Sequence, residues 1–134
     1  MGANSVKIVI AEDDPEDMEL IADAILLAEP GAELHKFADG LSAYEYLSAR
    51  PDNDLPSLII LDYNMPRLTG AQVLKNMGTE ARFESIPKVV LSTSNAPLYK
   101  YECIRNGATG YFVKPGSMNE LNSLARKMVG LRRI

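Results

Sequence analysis

Three short aliphatic runs constrain this chain more than anything else in it: residues 6–11 (VKIVIA), 57–61 (SLIIL) and 88–91 (KVVL). Each is too short for an ordinary helix, is rich in Val, Ile or Leu, and is bounded by breakers. Each therefore reads as a strand buried on both faces. Glu33–Phe37 and Gly110–Val113 are weaker strand candidates.

Between the strands the apolar period changes to that of a helix. Asp14 followed by Pro15 supplies an N-cap and a first-turn proline. Ile21, Ala24, Ile25 and Ala28 then form one stripe, ended by Pro30-Gly31. Residues 41–49 and 71–77 read as a second and third helix. A fourth opens at Pro97 and runs to Asn106-Gly107. Ser117 and Glu120 predict a capping box for a fifth, with Leu121, Leu124 and Met128 as its buried stripe. Arg126, Lys127, Arg132 and Arg133 crowd its C-terminal end, where they suit the helix dipole. Five strands alternating with five helices predict an α/β fold, a parallel sheet covered on both faces.

The 134 residues suit a single domain, with its core at about 5–130. A net charge of −4 leaves no overall footprint for nucleic acid, and Arg132-Arg133 is too small a basic patch to supply one. No run approaches the ~20 apolar residues that span a membrane. Residues 1–6 lack the basic and apolar regions of a signal peptide, and Val6 stands where a myristoylation motif needs Ser or Thr. With one cysteine, Cys103, no internal disulfide can form. The expected location is the cytoplasm.

An open α/β sheet binds its ligands at the carboxyl ends of its strands. Glu12-Asp13-Asp14 follow the first strand, Asp62-Tyr63-Asn64-Met65-Pro66 the third, Ser92-Thr93-Ser94 the fourth and Lys114-Pro115 the fifth. No glycine-rich dinucleotide or P-loop motif accompanies them. Clustered carboxylates favour a proton or a cation, and an all-oxygen set suits Mg²⁺. One His and one Cys make zinc a poor fit. A metal, an ammonium and a hydroxyl around one aspartate suggest phosphoryl transfer with a carboxylate nucleophile.

These residues resemble the receiver domain of bacterial two-component response regulators over nearly the whole chain. The matching pieces are Glu12-Asp13, Asp62 in LDYNMP, Gly70 eight residues on, Ser92 in VVLSTS, and Tyr111 to Pro115 after GATG. Ser92 lies 30 residues beyond Asp62, and Lys114 a further 22. The resemblance implies a flavodoxin-like (βα)5 three-layer sandwich, doubly wound, with strand order 2-1-3-4-5. It makes Asp62 the phosphoacceptor, and Asp13 and Asp62 the side-chain Mg²⁺ ligands. The Asn64 backbone carbonyl would be a third ligand, with Glu12 acting through water. Lys114 would contact the phosphoryl group, Ser92 would be the switch hydroxyl and Tyr111 the aromatic that follows it. It also implies a cis Lys114–Pro115 bond.

The implied role is a stand-alone receiver that takes a phosphoryl group from a histidine kinase or phosphotransfer protein. Its output would be a protein-binding surface around the fourth helix, fifth strand and fifth helix, read by an unknown downstream protein. The chain would be a monomer or homodimer, with no nucleic-acid or membrane partner. It would be a phosphoacceptor with at most slow self-dephosphorylation. A Mg²⁺-dependent phosphohydrolase is the rival reading; Asn64 stands where such an enzyme would want a second acid, and no cap segment follows. Nearer to hand, Asp14 reads as a helix cap, and His35 and Cys103 as structural. Residues 50–56 and 78–87 are longer than in compact receivers. With LSTS, they resemble single-domain receivers that pair with phytochrome-type or hybrid kinases.

Overall fold

The structure is a computed structural model that describes residues 6–133. The readings made on the first five residues lie outside it. Five strands, β1 (Lys7–Ala11), β2 (Glu33–Phe37), β3 (Leu58–Leu61), β4 (Lys88–Ser92) and β5 (Gly110–Val113), alternate with five helices. These are α1 (Pro15–Ala28), α2 (Gly40–Ala49), α3 (Gly70–Met77), α4 (Pro97–Arg105) and α5 (Met118–Gly130). The strands form one parallel sheet in the order β2-β1-β3-β4-β5, as expected.

The unbroken aliphatic runs divide by pleat. Ile8, Ile10, Leu58, Ile60, Val89 and Leu91 face α1 and α5, where they meet Ile21, Ile25, Leu121 and Met128. Val9, Ala11, Ile59, Leu61 and Val90 face the other way, onto Leu47, Leu74, Met77 and Cys103. Both layers are needed because a parallel sheet cannot leave such a face in water. Among the described residues, no helix is long and apolar enough to cross a membrane.

Local differences from the expectations have physical causes. The buried stripe of α5 is Leu121, Ala125, Met128 and Val129, with Leu124 only half-buried. The observed stripe replaces Leu124 with Ala125 and adds Val129, a shift toward the neighbouring helix face. Ser117 caps α5 through the Glu120 amide, but the Glu120 carboxylate takes the Ser117 hydroxyl rather than its amide. The reciprocal capping box lies on α3, between Thr69 and Gln72. The 50–56 and 78–87 stretches contain short 3-10 turns at Asp52–Asp54 and Ala81–Phe83. The second contributes Phe83 and Ile86 to the core. Every described peptide bond is trans, Lys114–Pro115 included, which corrects the expected cis form. The intrinsic preference between the two forms before proline is only about 0.5–1 kcal/mol, so local contacts decide it.

Candidate functional site

The sheet ladder places the chemistry. It continues one residue past three strands: the Glu12 amide donates to Phe37 O (2.9 Å), that of Asp62 to Ala11 O (2.9 Å) and that of Lys114 to Ser92 O (2.7 Å). Glu12, Asp62 and Lys114 are therefore each the first residue beyond a strand, fixed by backbone hydrogen bonding at the carboxyl edge.

There, one oxygen each from Glu12, Asp13 and Asp62 lie within 4.8 Å of one another. Glu12 and Asp62 are buried and Asp13 is exposed. Lys114 reaches across with Nζ 2.7 Å from Glu12 Oε1, 3.0 Å from Asp17 Oδ2 and 3.7 Å from Asp62 Oδ2. Burial pushes the Glu12 carboxyl up to about 7 against the pull of Lys114, with the Asp62 charge adding to the rise. Burial likewise raises Asp62, opposed by Lys114 and assisted by Asp13. Burial alone would lower Lys114, but the Glu12, Asp17 and Asp62 carboxylates together push it up to about 12.

The donor set fits a hard divalent cation. It is all oxygen, and it draws two carboxylates out of water beside a third. Among the described residues, the buried Glu12 Oε1 has no donor aligned on it as a hydrogen bond, although the ammonium lies close. Asp14 is not in the cluster. It caps α1 by accepting from the Glu16 amide (3.0 Å), as expected.

Ser92 and Tyr111 form a second knot. Ser92 is fully buried at the end of β4, and its Oγ accepts from the Ser94 amide (3.2 Å). The Tyr111 ring packs in the core, and its hydroxyl donates to Ser94 O (2.6 Å). The two expected switch residues thus converge on Ser94, and among the described residues neither hydrogen bonds to Asp62. Asn64 is exposed in the loop after β3.

That loop is tightly shaped. Arg67 has φ 73°, and the Leu68 amide donates to Pro66 O (2.9 Å), closing a γ-turn of the rarer, strained hand. Gly70 starts α3 against the site: a Cβ there would lie 2.5 Å from Asp62 O. This is a steric reason for glycine at that position. Tyr63 stacks on Tyr99 (ring centroids 4.3 Å apart) and donates its hydroxyl to Glu102 (2.6 Å).

Sequence reasoning missed Asp17. It lies three residues after the Asp14 cap, so α1 carries it to Lys114, but an acidic residue in a first turn is ordinary. The Tyr63–Glu102 contact spans 39 residues and leaves no local signal. His35 pairs with Glu33 and stacks on Tyr46, and burial pushes the Cys103 thiol up to about 11; both fit structural roles.

Comparison with known proteins agrees with this geometry. The family model of the response regulator receiver domain matches residues 8–126. Two-component response regulator ARR8 of Arabidopsis thaliana is 32% identical over 119 residues. The match covers 78% of this chain, which spans only 53% of that relative's length. The phosphorylated cyanobacterial phytochrome response regulator RcpA superposes with a TM-score of 0.83 at 28% identity, over 92% of this chain and 90% of that one. The Mn²⁺-bound form of response regulator Rcp1 gives 0.80 at 26% identity, over 91% and 90%.

Proposed function

The chain belongs to the response regulator receiver family, as the receiver domain of a two-component response regulator, and we propose that Asp62 is its phosphoacceptor. The observation that carries this reading is the position of Lys114 Nζ, between the buried Glu12 and Asp62 carboxylates.

The donor is a phosphohistidine on a sensor kinase or phosphotransfer protein. An Asp62 carboxylate oxygen attacks phosphorus, the new O–P bond forms, and the P–N bond breaks to release imidazole. The product is a mixed anhydride of aspartate. Lys114 keeps Asp62 ionised before attack and places its ammonium beside the transferred oxygens afterwards. Glu12 and Asp17 hold that ammonium in place. Mg²⁺ held by Asp13, Asp62 and the Asn64 carbonyl, with Glu12 acting through water, would neutralise charge on the phosphoryl oxygens.

Ser92 then turns from the Ser94 amide toward the phosphoryl group. Because Tyr111 shares Ser94 as a partner, its packing responds, and the surface around α4, β5 and α5 shifts toward a second state. Water attack at phosphorus returns Asp62 and inorganic phosphate, slowly and without a turnover enzyme's role. Residues 1–134 act as one cytoplasmic receiver unit.

The test is incubation with Mg²⁺ and acetyl phosphate or phosphoramidate, followed by intact mass measurement. One base-labile phosphoryl group is expected on the native chain and none on Asp62→Asn. An equal gain on Asp62→Asn would overturn the assignment. Turnover of simple phosphate esters at enzyme-like rates would favour a phosphohydrolase.

A further inference from the structure

Away from the acidic cluster, α3 and α4 enclose a surface groove of about 600 Å³. Its floor is the stacked pair Tyr63 and Tyr99. One wall is a face of α4 on which Leu98, Tyr101 and Arg105 follow one another at helical spacing. Leu98 is 71% exposed and Tyr101 63% exposed, and the two are adjacent on one helix face rather than scattered. Lys75, from the last turn of α3, stands on the opposite wall.

The charge of this groove is unlike that of the chain. The protein carries −4 overall, yet the groove presents two cations, Lys75 and Arg105. Both are exposed, and among the described residues neither has a carboxylate within 4.0 Å. The carboxylate that lines the groove, Glu102, is engaged by the Tyr63 hydroxyl at 2.6 Å. Two unpaired cations flanking exposed leucine and tyrosine side chains form a surface complementary to acidic groups interleaved with apolar anchors.

We propose that the α3–α4 groove is a docking surface for an acidic segment of another protein, bearing an apolar anchor that seats against Leu98 and Tyr101. Lys75 and Arg105 steer the segment and fix its register from opposite walls. The surface shares α4 with the α4–β5–α5 face but opens toward α3, so it is a second route by which α4 can be read. A second copy of this chain is the poorer occupant, since its net charge is acidic but its own matching face is cationic. The inference needs no phosphoryl group and is tested without one.

The probe is an acetylated, amidated peptide, Asp-Glu-Leu-Asp-Glu-Leu-Asp-Asp, titrated into the ¹⁵N-labelled 134-residue chain at low and at physiological salt. Amide shifts are expected to centre on Lys75, Leu98, Tyr101 and Arg105 and to weaken as salt rises, because these charges are solvent-exposed. A Lys75→Glu/Arg105→Glu variant is expected to lose at least about tenfold in affinity, and Leu98→Ala/Tyr101→Ala a comparable amount. All four positions are exposed, and an unchanged thermal midpoint would show that the fold is kept. The proposal is overturned by no shifts at millimolar peptide or by shifts centred elsewhere. Indifference to charge reversal, or equal binding of the peptide with Lys at every acidic position, would overturn it too. Groove shifts produced by protein concentration alone would assign the surface to a second copy instead.

Discussion

Tyr63, the residue next to Asp62, donates its hydroxyl to Glu102 on α4 at 2.6 Å. The loop that carries Asp62, the proposed phosphoacceptor, is thereby tied directly to α4, a helix of the proposed output surface. The tie matters because α4 is weakly held: its N-cap, Ala96, offers no side-chain hydrogen bond, and Cys103 is its one fully buried side chain. Tyr63→Phe keeps the stack on Tyr99 and removes the tie. The expected loss is about 1 kcal/mol of stability, small because Glu102 is exposed. Faster hydrogen exchange should be confined to α4. Glu102→Ala, which removes the acceptor, should match it, and the double variant should add little to either.

Gly70 should tolerate no side chain. A Cβ would press on the carbonyl of Asp62 itself, and backbone cannot yield as a flexible side chain can. Gly70→Ala is expected to cost about 1–3 kcal/mol. It should also slow phosphoryl uptake from acetyl phosphate, while Gly31→Ala, where nothing lies within 4 Å, leaves uptake unchanged.

Arg82 ends α2 from a distance. Its guanidinium donates to the carbonyls of Leu47, Ser48 and Arg50 and also meets Asp52 and Glu80. These carbonyls lie in the last turn and at the C-cap of α2, where Leu47 O also accepts the Arg50 amide, and a planar fork can serve several at once. Arg82→Ala is expected to lower the urea midpoint measurably, because several acceptors lose their donor at once. Arg82→Lys should recover less than half of that, because an ammonium cannot span the same acceptors.

The strand ends were legible in the sequence because two independent signals coincide there. Aliphatic runs too short for helices mark the strands, and acidic, hydroxyl and ammonium residues stand directly beyond them. Asp17, Phe83 and Ile86 were not legible. Asp17 gains meaning only when α1 is laid beside β5, and the 78–87 stretch has no periodicity to show that a 3-10 turn buries a phenylalanine. The two cores could not be separated either, since a run such as LIIL is apolar on both faces and only the pleat sorts its residues.

The acidic cluster should give the metal-free protein a pH dependence opposite to that of ordinary ion-paired carboxylates. Glu12 rises from 4.5 to about 7 in the folded chain, and Asp62 moves the same way. Between those values the native state holds more protons than the unfolded chain, so stability falls as pH rises. The contribution is fully present below about pH 4.5 and is lost by the time pH passes about 7. A rise of that size in one buried carboxyl corresponds to a contribution on the order of 3 kcal/mol. Urea midpoints in EDTA should therefore be lower at pH 7.5 than at pH 5.5, and Glu12→Gln should flatten most of the difference. Mg²⁺ bound as proposed, on the ionised carboxylates, would add about 2.7 kcal/mol at a hundred times its Kd, so its stabilisation should grow with pH and shrink or reverse the slope. A slope indifferent to both EDTA and Glu12→Gln would mean that the titrating groups lie elsewhere.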